Sequence, residues 1–120
     1  MLNNMNINYS QESINLEGKY SDYIFFLPRT VCDIFEIDME LHISVNHARI
    51  DLILNEQILS FCMKKKDVYK NLILVKRVEG KNVVDLICGN NKSVPNQEEL
   101  QIIKDWCKTK QIHFSLSLKK

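Results

Sequence analysis

The sequence predicts an α+β domain: a mainly antiparallel sheet of about six or seven strands with two helices, over about 29–36 and 96–110. Three observations predict it. Short runs with two-residue hydrophobic alternation recur along the chain, as strands with one buried face require. Glu79-Gly80-Lys81-Asn82 separates two such runs and is the clearest hairpin turn. Near the end, Asn96 and Glu99 frame a capping box ahead of an apolar stripe of helical period. No strand–helix–strand rhythm and no repeat is visible, which favours α+β over α/β.

Residues 1–13 are polar and Asn-rich without a period, and read as a flexible arm ahead of a single domain over 14–120. Ile14-Asn15-Leu16 suits a short strand ended by Gly18. Tyr23 to Leu27 is a continuous apolar run, which predicts a strand buried on both faces. Pro28 stops it, and Val31, Ile34 and Phe35 then follow at helical spacing. Leu41, Ile43 and Val45 alternate with His42, Ser44 and Asn46. After Asn46-His47-Ala48, alternation resumes at Ile50, Leu52 and Leu54, which predicts a hairpin. Ile58 to Met63 is a further strand, ended by Lys64-Lys65-Lys66-Asp67, and Leu72 to Val78 pairs with Val83 to Ile87 across the Gly80 turn. In the last helix Leu100, Ile103 and Cys107 form the stripe, widened by Ile102 and Trp106. Glu98 and Glu99 lie at its positive end, Lys108 and Lys110 at its negative end. Ile112, Phe114, Leu116 and Leu118 alternate as a terminal strand.

With 120 residues the chain buries roughly two-thirds of its unfolded surface, enough to fold without a disulfide or metal. Its 45% hydrophobic and 26% charged residues are globular values, and a net charge of +1 exerts no global pull on nucleic acid or membrane. No run is long enough to span a bilayer, and no basic segment with an apolar core opens the chain, so a cytoplasmic protein is expected. Cys32, Cys62, Cys88 and Cys107 lie too far apart for paired zinc ligands, so they read as free thiols. Lysine outnumbers arginine thirteen to three, and Asn and Ile abound, a bias toward A/T-rich codons that points to an A/T-rich bacterium or its phage.

Chemistry-bearing motifs are absent. Three glycines allow neither a dinucleotide fingerprint nor a phosphate-cradling loop, and no nucleophile elbow or HExxH appears, so no enzyme, cofactor or metal is expected. His42 and His47 read as surface-facing hairpin residues, and His113 lies on the polar side of the last strand. Two polar clusters remain as partner or ligand sites. Lys64, Lys65, Lys66 and Arg77 could neutralise phosphates, with Tyr69 to stack on a base. The plainer reading is a solvated turn that guards a sheet edge. Asn90, Asn91 and Lys92 precede the capped helix, where free amide protons favour an anion. Glu98 and Glu99 would oppose it.

Ile24 to Leu54 resembles the swapped-hairpin DNA-binding family of AbrB and MazE-type antitoxins. The shared skeleton is a hydrophobic strand, Leu27-Pro28, a short helix with Val31 and Ile34, Ile37, then two strands ending Arg49-Ile50-Asp51-Leu52. The family's acidic Gly-Asp turn is reduced to Asp38-Met39-Glu40, without glycine, and the basic residues near Leu-Pro to Arg29. The resemblance implies a transcriptional regulator or antitoxin that meets DNA through Arg29 and Arg49.

The residues themselves favour a small non-enzymatic protein that binds a macromolecular partner or a nucleotide ligand. The inhibitors of host defence that phages and mobile elements encode are of this kind. Tyr20, Tyr23, Phe25 and Phe26 concentrate apolar surface near the N-terminus, from which a homodimer is expected.

Overall fold

The computed structural model describes residues 5–115, an α+β fold on one antiparallel sheet. In chain order the elements are α1 (Gln11–Ile14), β1 (Gly18–Tyr20), β2 (Tyr23–Phe26), α2 (Val31–Leu41), a 3₁₀ turn (His47–Arg49), α3 (Ile50–Leu54), β3 (Ile58–Lys65), β4 (Val68–Val78), β5 (Lys81–Gly89), a second 3₁₀ turn (Asn90–Lys92) and α4 (Gln97–Lys110). The strands lie side by side in sequence order. Each therefore pairs antiparallel with the next, and the helical segment between β2 and β3 is the one long excursion in this meander.

The two sheet faces are covered by different helices, so the molecule has three layers. Tyr23, Phe25, Leu59, Phe61, Met63, Ile73, Val75, Val84 and Ile87 cluster with Ile103, Trp106 and Cys107 of α4. On the other face Ile58, Cys62, Leu72 and Leu74 meet Ile37 and Leu41 of α2. This explains why the burial of β3 and of the middle of β4 is continuous rather than alternating. Two bulges adjust the pleat. Leu74 pairs Leu86 while Val75 pairs Val84, leaving Asp85 as the extra residue. Met63 pairs Asn71 while Lys64 pairs Tyr69, leaving Lys70 over.

α4 forms as its sequence demands. The Asn96 side chain accepts from Glu99 N at 2.7 Å, and the Glu99 carboxylate accepts from Asn96 N at 3.1 Å. Trp106 is wholly buried, stacked on Phe25 at 4.4 Å and edge-on to Phe61, with Nε1 donating to the Leu16 carbonyl at 2.7 Å. The β4–β5 hairpin turns on Glu79 and Gly80, both at positive φ, where Gly80 carries no steric cost.

Several expectations are corrected. The described residues hold five strands and four α-helices, not six or seven strands and two helices. Ile14–Leu16 is not a strand: Ser10 caps α1 there, and Gly18 opens β1 instead of closing a strand. The helix placed at 29–36 runs from Val31 to Leu41, capped by Thr30. The hairpin placed at 41–54 does not form; α2 ends at Leu41, and a 3₁₀ turn and α3 follow. Of the terminal strand, one parallel bridge joins His113 to Val83, and Leu116 and Leu118 lie outside the described residues. β2 alternates between buried and half-buried residues rather than being buried throughout.

Residues 5–13, read from composition as an arm, lie against the domain. Ile7 N donates to Arg29 O at 2.9 Å and Val31 N to Met5 O at 3.0 Å, while Ile7 is buried beside Ile34 and Ile53. Glu56 fastens α1: its carboxylate accepts from Ser10 N at 3.2 Å, from Ser10 Oγ at 2.6 Å and from Ser13 Oγ. Burial opposes its charge, but these bonds outweigh burial and hold its pKa below the usual carboxylate value. The apolar group that suggested a dimer is covered within the chain, since α4 buries Tyr23 and Phe25.

The thiols divide by burial. Cys62, Cys88 and Cys107 are buried and Cys32 is exposed on α2. Burial pushes the three core thiols up, Cys107 to about 12. Under native conditions Cys32 is expected to react with iodoacetamide promptly and the other three only after denaturation. Mass spectrometry showing rapid native labelling of Cys62 or Cys107 would contradict this core.

Candidate functional site

β2 enters the sheet where β3 leaves it, so the β1–β2 turn and the β3–β4 turn share one end of the sheet. β5 runs back to the same end, because Gly89 pairs Asn71. Lys64, Lys65, Lys66, Tyr69, Asn90, Asn91 and Lys92 are therefore gathered there. Arg77 is not. It lies at the opposite end, paired with Glu12.

Strand alternation divides the lysine run between two faces. Lys64 pairs across from Ile24, which places its ammonium 5.0 Å from the Phe26 ring centre, on the α2 side. Lys65 lies 5.4 Å over the Tyr23 ring, on the α4 side. Lys66 occupies the tip at positive φ and is exposed. The run is thus not one basic patch. Its α2-side half is the structured one: Tyr69 leans on Phe26 at 5.9 Å and hydrogen-bonds Glu36 at 3.5 Å. Burial, then the neighbouring Glu36 carboxylate, push the Tyr69 phenol up to about 12, so it stays a neutral donor.

The Asn90–Lys92 turn packs beside α2 and closes with Ser93 N donating to Asn90 O at 3.0 Å. Asn91 and Lys92 both take positive φ, and both are exposed. Gly89 is required for this closure, because a Cβ there would lie 2.7 Å from Ser93 Oγ and 2.9 Å from Asn71 Oδ1. The turn does not deliver a free helix N-terminus to an anion. Asn96 and Glu99 cap α4, and the Glu99 carboxylate also accepts from Asn71 Nδ2 at 3.1 Å.

The two arginines implied by the swapped-hairpin resemblance are both engaged. Arg29 pairs with Glu17 through two nitrogens, at 2.7 and 3.0 Å, and Arg49 donates to the Val45 carbonyl at 3.3 Å. The two strands that this skeleton needs between 41 and 54 are helix and loop here.

One polar constellation escaped the sequence reading. The Asp38 carboxylate, 1% exposed, accepts from Asn46 N at 3.2 Å and His47 N at 2.9 Å, and lies 2.6 Å from His47 Nδ1. Asn46 is wholly buried and accepts from Ser60 Oγ at 2.6 Å. His47 stacks on Phe35 at 4.3 Å. A carboxylate-oriented imidazole is the geometry of a general base, but here the carboxylate also satisfies the first amides of the His47–Arg49 turn. That makes it a structural clasp. The signal was present: Ile34, Ile37 and Leu41 form the buried stripe of α2, and Asp38 lies within it. His47 is thus not a hairpin residue, and His42 is the left-handed cap of α2.

Among the described residues no three of His, Cys, Asp and Glu converge as metal ligands, and no helix is long and apolar enough to cross a membrane. The chain matches no model of a known protein family, no curated protein and no solved structure.

Proposed function

We propose that this chain is a non-enzymatic binding protein that acts by stoichiometric contact with a protein partner. Its contact face is the α2-side end of the sheet: Lys64, Lys66, Tyr69, Asn91 and Lys92. The observation that carries this reading is the Lys64–Phe26–Tyr69 cluster, in which a cation and a phenol are held on a packed aromatic base beside an exposed turn. Preorganised aromatic and cationic side chains with little entropy left to lose are what binding hot spots require. Exposed Val68, 55% accessible at the hairpin tip, adds apolar area to the same end. An acidic protein surface complements the lysines. Inhibition of a host defence component by a phage or mobile element is the setting that suits such a protein.

The test is affinity capture followed by cross-linking of the identified complex. Lys64→Glu with Tyr69→Ala should weaken that complex by about 2 kcal/mol or more. Lys81→Glu, at the opposite end, should leave it unchanged. A complex insensitive to the first variant would reject this face. A salt-sensitive duplex gel shift lost on Arg29→Ala would instead establish the DNA-binding regulator.

A further inference from the structure

The opposite end of the molecule carries a groove of about 730 Å³. It is assembled where α1, the β4–β5 hairpin, the last turn of α4 and the chain up to His113 meet. Leu16, Cys107 and Ile112 are its apolar lining, each buried. Its rim is basic, with Arg77, Lys81, Lys108 and Lys110 set against one acid, Glu12. Arg77 is committed to Glu12, and Lys110 Nζ donates to the Asn15 carbonyl at 2.8 Å. Lys81 and Lys108 form no ion pair among the described residues. The His113 wall is fixed, since its N donates to Asn82 O at 2.8 Å and its carbonyl accepts from Val84 N at 2.9 Å.

The negative end of α4 also points here and opposes an anion. That opposition is reduced, because Ile112 N caps the Cys107 carbonyl at 2.8 Å and Gln111 N the Lys108 carbonyl at 3.4 Å. Two lysines without ion-pair partners among the described residues then leave an excess of positive charge beside an apolar lining. The volume lies in the range of small-ligand sites, which combine such a lining with a few convergent polar groups.

We propose that this groove binds a phosphorylated small molecule of nucleotide size, its phosphates against Lys81 and Lys108 at the rim. Asn82, Gln111 and His113 supply further hydrogen-bonding groups. The site is separate from the protein-contact face, so either reading can fail alone.

Calorimetric titration with ADP, adenosine and inorganic pyrophosphate tests it. ADP should saturate at one per chain, adenosine should bind about tenfold or more weakly, and pyrophosphate should compete, since charge-assisted bonds provide the difference. Lys81→Gln with Lys108→Gln should weaken ADP about tenfold or more, and Lys81→Gln alone by less. Lys19→Gln, an exposed lysine outside the groove, should leave ADP affinity unchanged. Both groove lysines are exposed, so circular dichroism is expected to show the native fold in each variant. Any one of three results overturns the proposal: no saturable ADP binding at millimolar ligand, equal affinity for adenosine, or full affinity in the folded groove variants.

Discussion

Trp106→Ala is expected to destabilise the fold by about 3–5 kcal/mol, the range for removing a large aromatic from a packed core. Trp106 is wholly buried between Phe25 and Phe61, and its indole N–H satisfies the Leu16 carbonyl on the segment that enters β1. Truncation therefore empties the α4 side of the sheet and leaves a carbonyl unpaired, which adds to the loss. Trp106→Phe keeps most of the packing but not the hydrogen bond, so it should cost less. Because the chain has one tryptophan, unfolding of both variants must be followed by far-ultraviolet circular dichroism in urea. A loss below about 1 kcal/mol for Trp106→Ala would mean that α4 is not packed as described.

Asp38→Ala should cost about 2–4 kcal/mol, because it strands buried backbone donors rather than because it deletes a charge pair. The amides of Asn46 and His47 lose their acceptor, and Asn46 loses the register in which Ser60 reaches it. His47 itself is half-exposed and can turn to water, so its part of the loss is small. Asp38→Asn retains an oxygen for the amides and should recover much of the stability. Equal losses for Ala and Asn would show that the carboxylate's charge, not its acceptor geometry, holds the 43–49 segment. Both are read from urea midpoints at constant m-value.

The sites were legible in proportion to how local they are. The lysine run, Tyr69 and the Asn90–Lys92 turn could be selected by residue type, yet only the sheet could divide Lys64 from Lys65 and carry Arg77 to the far end. The groove could not be read at all, because its lining comes from Glu12, Arg77, Lys81 and Lys108, which the sequence keeps far apart.

The same division runs through the fold. By itself the sequence determined α4 and the β4–β5 hairpin, since a capping box and a two-residue Gly turn satisfy their own backbone groups within a few residues. It also indicated the β3 strand, a short apolar run from Ile58 to Met63 closed by the lysines, which the structure extends to Lys65. The segment from Leu41 to Leu54 was undecided locally: Ile50, Ile53 and Leu54 fit a helix period while Ile50, Leu52 and Leu54 fit a strand. Tertiary structure chose the helix. The sheet already had β2 and β4 on either side of β3, α2 needed Ile34, Ile37 and Leu41 together on one face, and Asp38 offered the following amides a buried acceptor. A period of hydrophobicity states that a face will be buried; which face, and against what, depends on groups that meet only when the chain is folded.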